Sequence, residues 1–137
     1  MQLSGPEVRM DGVLVSKMAP PGLELIAGMN RDPQFGPVIL FGLGGIMVEI
    51  FQDVSLRLLP LTKDEVLAMI REIKGYRLIA GYRGGPAVDE QALADCILAV
   101  AEMAENHPEI VEIDLNPVFA YQDGTLIADA RIIEQEE

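Results

Sequence analysis

The sequence predicts an α+β domain, a mostly antiparallel sheet with two main helices packed on it, and three observations carry that prediction. Two apolar-rich runs, 110–121 and 125–133, flank Asp123-Gly124, and an Asp-Gly pair between such runs is the strongest short-range hairpin signal. Three further strand-like runs, 13–18, 23–29 and 37–43, are separated by turn formers and read as an antiparallel meander. Two stretches, 63–74 and 89–106, carry apolar residues at helical spacing instead.

A chain of 137 residues is the length of one ordinary domain, and with half of it hydrophobic it has the material for a sizeable core. Its formal net charge of −12 argues against an electrostatic grip on nucleic acid or on an anionic membrane. The single cysteine, Cys96, excludes an internal disulfide and a thiolate metal cluster, and a reducing, cytoplasmic setting fits it best. No apolar run reaches the length of about 18 residues that a membrane span needs, and no basic segment with an apolar core opens the chain.

Residues 1–11 are polar, contain Gly and Pro, and read as a lead-in segment; the domain proper is expected over 12–133, with 134–137 as an acidic tail. The strand at 13–18 stops at Ala19-Pro20-Pro21-Gly22, because proline cannot donate to a sheet ladder. In the strand at 23–29, alternation sets Leu23, Leu25 and Ala27 against Glu24, Ile26 and Gly28. The strand at 37–43 is apolar throughout, which predicts burial on both faces. Residues 53–59 form another extended segment, with Arg57 as its cation, and Pro60 breaks it. Thr62 and Glu65 form a capping box for the first helix, with Val66, Leu67, Ile70 and Ile73 along one stripe and Gly75 as its expected end. A short apolar run, 78–80, leads to the loop Gly81-Tyr82-Arg83-Gly84-Gly85-Pro86. The second helix is the longest element and directs Leu93, Ile97, Val100, Ala101 and Ala104 to the core, with Cys96 as one more small apolar residue; Asn106-His107-Pro108 ends it.

Candidate chemistry centres on the hairpin. Alternation throws Glu112, Asp114 and Asn116 to one face and Ile113 and Leu115 to the other. If the turn closes at Asp123-Gly124, Asp129 on the returning strand falls near the level of Asn116. A carboxylate opposite a carboxamide makes a hard-oxygen pocket suited to Mg²⁺, which takes only one or two protein carboxylates and leaves other positions to water and nucleotide phosphates. The same acidic face also reads as a solvated strand face. Gly42, Gly44 and Gly45 offer free backbone N–H groups to phosphate, yet neither the P-loop nor the dinucleotide fingerprint is met, and on pattern alone a structural bend after a buried strand explains them slightly better. Arg83 could grip a phosphate or carboxylate bidentately, or be a plain surface arginine. His107, the only histidine, has no local catalytic partner, and its place at a helix C-terminus explains it more simply.

Three segments read together, "GLELIAGMNRDPQFGPVILFGLGGIMVEIFQDVSLRLLPL", "LIAGYRGGP" and "EIDLNPVFAYQDGTLIADARI", resemble the C-terminal portion of the ATP-grasp region of nucleoside-diphosphate-forming acyl-CoA synthetases. That group includes ADP-forming acetyl-CoA synthetases, more distantly the succinyl-CoA ligase β chain, and bacterial protein acetyltransferases that carry the same module. The resemblance runs from Gly12 to Ile133 and implies an ATP-grasp C-terminal subdomain. It also implies that Asn116 of "DLNP" and Asp129 of "ADAR" bind Mg²⁺ beside the phosphates of ATP or ADP. Asp114 then takes a supporting part, at the metal or where a phosphohistidine loop docks. Lys17 and Met18 belong to the hinge that reads adenine, Glu24 lies near the nucleotide, and Gly44 and Gly45 form part of the site wall. Arg57 and Arg83 are candidates for offsetting phosphate charge.

The resemblance also implies what this stretch lacks: an N-terminal ATP-grasp subdomain with a phosphate-binding lysine and glycine-rich lid, and a CoA-binding, phosphohistidine-bearing domain. CoA and the acyl substrate bind elsewhere in such an assembly, and His107 does not inherit the phosphorylated role. The chain is therefore expected to be a fragment of a ligase, inactive by itself, with a non-catalytic scaffold or regulatory module of a protein acetyltransferase as the alternative.

Overall fold

The computed structural model describes residues 22–45, 52–81 and 87–135. The expected strand at 13–18 with Lys17 and Met18, and the loop residues Arg83, Gly84 and Gly85, lie outside them.

Nine elements are seen among the described residues: β1 (Leu23–Asp32), β2 (Gly36–Leu43), β3 (Val54–Leu58), α1 (Lys63–Glu72), α2 (Tyr76–Ala80), α3 (Glu90–Asn106), β4 (Ile110–Tyr121), β5 (Gly124–Ile127) and β6 (Ala130–Glu134). The strands form one antiparallel sheet in the order β3-β2-β1-β4-β5, with β6 also pairing with β4. The long strands β1 and β4 form its centre.

The helices cover one face. Leu25, Ala27 and Met29 of β1, Ile39, Phe41 and Leu43 of β2, and Ile113, Leu115, Val118 and Ala120 of β4 meet Val66, Met69 and Ile70 of α1 and Leu93, Ile97 and Val100 of α3 in one core. Burying each large apolar side chain is worth about 1.5–3 kcal/mol, so this layer carries most of the stabilisation. The opposite face has no helix on it among the described residues, and the alternate residues of β1, β2 and β4 point there. The expectation that the second of the described strands is buried on both sides is corrected here: Val38 and Leu40 on the uncovered side are only half-buried.

The capping box of α1 is formed as expected, with Thr62 Oγ1 accepting from Glu65 N at 3.2 Å and Glu65 Oε1 accepting from Thr62 N at 2.9 Å. Those bonds hold the Glu65 carboxyl below its ordinary range. The helix stops at Glu72, earlier than the glycine signal at Gly75, and the run 78–80 belongs to a third, short helix, α2. A buried carboxylate explains the break. Asp53 is 6% exposed and accepts from Lys74 N at 2.7 Å and Gly75 N at 2.6 Å, so the turn after α1 is bound to the start of β3 instead of continuing as helix. At the start of α2, the Tyr76 hydroxyl donates to Glu90 at 2.7 Å, and this bond, with burial, raises its pKa.

Arg31 binds the far end of α3. Its guanidinium donates to the carbonyls of Ile110 at 2.9 Å and Ala104 at 3.1 Å, satisfying groups that a helix C-terminus otherwise leaves open. His107 is the residue that caps this helix, its N–H donating to Met103 O at 3.0 Å, which agrees with a structural part for it. Cys96 is partly buried against the core, and burial pushes its thiol pKa up.

Gly28 is the tightest point between the two central strands. A Cβ there would lie 2.4 Å from the Ile113 carbonyl oxygen, a backbone atom that cannot swing aside. Gly28→Ala is expected to cost about 1–3 kcal/mol through overpacking, read as a lower midpoint in urea unfolding. A midpoint equal to the parent's would show that β1 and β4 can part at this position without loss.

Candidate functional site

Strand β4 carries one residue more than β1 in the middle of their ladder. Leu25 pairs with Val118 and Ala27 with Leu115, so Asn116 and Pro117 together oppose Ile26. The burial of β4 shifts phase at the same point, from Ile113 and Leu115 to Val118 and Ala120. This is a β-bulge, a feature that bends a strand and re-aims a side chain. It puts Asn116, which is exposed, on the uncovered face beside a cis peptide bond to Pro117.

The returning strand follows in register, but it is interrupted. It is one run in the sequence reading and two strands in the structure, because Ala128 and Asp129 separate β5 from β6. The cause lies opposite: Pro117 has no N–H to give to a ladder. The chain still holds together there, since Asn116 N donates to Asp129 O at 3.1 Å and Ala128 N donates to Pro117 O at 3.0 Å. Asn116 and Asp129 are thus direct cross-strand neighbours, and both are exposed. The sequence reading that put Asp129 at the level of Asn116 agrees with this register.

One step along the ladder on the same face, Asp114 pairs with Gly28 on one side and Arg131 on the other; Glu112 pairs with Asn30 a further step along. Gly28 leaves a hollow of about 310 Å³ bordered by Ile26, Asn30, Leu40, Glu112 and Asp114. In the other direction lies a corner made by Glu24, Gly44 and Gly45. Gly44 N donates to Glu24 O at 2.9 Å. Gly45 has φ +66°, which suits glycine, and a Cβ on it would come within 3.3 Å of the Glu24 carboxylate. Glu24, Gly44 and Gly45 are therefore brought together, about two strand residues from the level of Asn116.

The uncovered face is thus graded along β1: an acid over a glycine turn at Glu24, an oxygen pair at Ile26, then a hollow with carboxylates at Gly28. Among the described residues no three His, Cys, Asp or Glu side chains converge into a closed metal cage. Two exposed hard-oxygen groups on neighbouring strands instead suit an ion that completes its coordination with phosphate and water, which is how Mg²⁺ binds beside nucleotides. The donor set of Asn116 and Asp129 fits that ion.

Arg57 does not take part on this face. It pairs across the ladder with Ile39, on the helix side, and its guanidinium lies 2.6 Å from Glu72 of α1. Its candidacy for phosphate charge is corrected accordingly. Gly28 and Arg131 also flank Asp114 on this face, and the sequence reading does not single them out. Alternation places Gly28 on the face of Glu24, and Arg131 stands two residues after Asp129, so the signal was present in both cases.

Comparison with known proteins follows the same lines. The sequence profile of the ATP-grasp domain matches residues 1–133. The β subunit of ADP-forming acetate–CoA ligase I from Pyrococcus furiosus is 55% identical over 128 residues, covering 93% of this chain and 55% of that protein. ADP-forming acetate–CoA ligase I of Archaeoglobus fulgidus is 48% identical over 132 residues, 96% of this chain but 19% of that protein. A dinucleotide-forming acetyl-coenzyme A synthetase from Ca. Korarchaeum cryptofilum superposes with a TM-score of 0.82 at 50% identity, over 85% of this chain and 55% of that one. That structure holds coenzyme A and Mg-AMPPCP, and its phosphohistidine segment points towards the nucleotide binding site. The chain spans about half the length of the first of these relatives and about a fifth of the second.

Proposed function

This chain belongs to the ATP-grasp family, and on that premise we propose that it is the Mg·nucleotide-holding C-terminal half of the ATP-grasp unit of an ADP-forming acyl-CoA synthetase. The observation that carries the reading is the juxtaposition of Asn116, at the bulge of β4, with Asp129 on the returning chain, on the face that no helix covers among the described residues. In the reaction, phosphoryl transfer between nucleotide and an enzyme histidine is coupled to making or breaking an acyl-CoA thioester. Such transfer asks a protein mainly for positioning and charge neutralisation. Mg²⁺, when bound, supplies the neutralisation, and Asn116 and Asp129 hold it.

The remaining residues take parts by their position. Glu24, Gly44 and Gly45 wall the nucleotide on one side, with Lys17 and Met18 at the adenine and Arg83 at phosphate charge. Asp114 takes a supporting part, at the metal or where the phosphohistidine loop docks. The domain runs over 12–133, with 1–11 leading in and 134–137 as a tail. Its partners are an N-terminal ATP-grasp subdomain and a domain that binds CoA and carries the phosphohistidine; the acyl substrate binds there too, and the chain by itself turns nothing over. No described helix is long and apolar enough to cross a membrane, and a cytoplasmic place is the setting we assign. The scaffold alternative separates from this reading by one assay. Phosphoryl exchange by the assembled enzyme is lost on Asn116→Ala or Asp129→Ala if the site is used, and is unchanged if the module is only a scaffold.

A further inference from the structure

We propose that Arg131 grips the phosphoryl group in transfer, on the phosphohistidine side of the Asn116 and Asp129 pair; this deepens the phosphoryl-transfer reading of the same site and rests on it. The sequence around Arg131 alternates cleanly. Ala130 and Ile132 pair with Leu115 and Ile113, whose side chains go to the helix layer, so Arg131 between them, opposite Asp114, faces the uncovered side. Asp129 precedes it by two residues, a step of about 7 Å along a strand. That step leads away from the Glu24 and Gly45 corner and towards the level of Gly28, past the metal pair from the nucleotide's side.

Charge gives the position its meaning. Glu24, Glu112, Asp114 and Asp129 all stand on this face, a poor environment for a phosphate arriving from beyond the metal. Arg131 is the one cation that a strand of the described residues directs to this side; Arg31 is spent on the carbonyls at the end of α3 and Arg57 on Glu72. Among the described residues its guanidinium has no hydrogen bond or ion pair, even with Asp114 directly opposite, and the residue is exposed. An exposed ion pair with that carboxylate would add little, so the guanidinium is available to a ligand. A free planar fork beside a carboxylate, one step from a metal pair, is suited to bidentate phosphate binding. In the ATP-forming direction the P–N bond of a phosphohistidine breaks, its electron pair returns to the imidazole nitrogen, which takes up a proton, and a P–O bond forms to the terminal oxygen of ADP. The three peripheral oxygens of the moving group carry the charge that Arg131 meets.

The test uses the assembled enzyme with Arg131→Ala and Arg131→Lys, measuring single-turnover phosphoryl transfer from phosphohistidine to Mg·ADP and, separately, Mg·ADP binding by calorimetry. Arg131→Ala is expected to slow transfer by about 10²- to 10³-fold, the usual effect of removing one aimed donor. The dissociation constant for Mg·ADP stays within about threefold of the parent's, since only the moving phosphoryl group is touched. Arg131→Lys restores part of the rate, because it keeps the charge and loses the fork. Transfer by Arg131→Ala at the parental rate, or a loss of Mg·ADP affinity as large as the loss of rate, overturns the proposal. Asn116→Ala and Asp129→Ala are run beside it. If they abolish transfer while Arg131→Ala does not, this inference falls alone; if none of the three matters, the phosphoryl-transfer reading falls with it.

Discussion

Asp129→Ala in the assembled enzyme is expected to lower phosphoryl exchange by about 10²- to 10³-fold, and Asn116→Ala to do nearly the same. On the proposed reading both side chains supply oxygen to one ion, so the double variant should be little worse than either single one; groups that act as a unit do not add. The fold should survive, because what ties the two strands together here is the bond from Asn116 N to Asp129 O, which an alanine side chain leaves intact. Unfolding midpoints close to the parent's would accordingly accompany the loss of exchange. Two variants with parental exchange rates would instead support a module that has kept the shape of the site without its use.

The largest effect on stability is expected at Asp53. This carboxylate is buried, and its two oxygens accept from Lys74 N at 2.7 Å and Gly75 N at 2.6 Å, while its own carbonyl accepts from Leu43 N at 3.1 Å. It therefore joins the end of β2, the start of β3 and the turn after α1. Hydrogen bonds to a charged group are worth about 1.5–3 kcal/mol each, so Asp53→Ala should cost about 3–5 kcal/mol, with two part-buried N–H groups left unpaired. Asp53→Asn keeps one accepting oxygen and should cost roughly half as much. Urea unfolding measures both. Because Leu43 leads directly into Gly44 and Gly45, Asp53→Ala should also loosen the corner against Glu24. A cost below about 1 kcal/mol for Asp53→Ala would mean that water replaces the carboxylate without penalty.

Much of this organisation was legible in the residues because it depends on local rules. The capping box at Thr62 and Glu65, the core stripe of α3 and the hairpin about Asp123-Gly124 are each written within a few positions, and each is formed. What the residues hid depends on distant partners. The end of α1 was misjudged because the group that stops it, Asp53, lies 21 residues from Lys74. The exposure of Val38 and Leu40 could not be inferred from an all-apolar run, which reads alike whether one face or two are covered. The pairing of Arg57 with Glu72 likewise joins residues on different elements. In the site itself, alternation was enough to share Asp114 and Asn116 on one face. The bulge at Asn116-Pro117 and the break opposite it were not readable, since a slip of register is a property of two strands.

The central claim, that Asn116 and Asp129 jointly hold the metal of a nucleotide, is tested most directly by the crystal structure of the assembled enzyme with Mg²⁺ and a non-hydrolysable nucleotide. The account predicts a side-chain oxygen of each residue at about 2.0–2.1 Å from the ion, with phosphate oxygens and water in the other positions. An ion coordinated to the phosphates with neither side chain in its shell would contradict it.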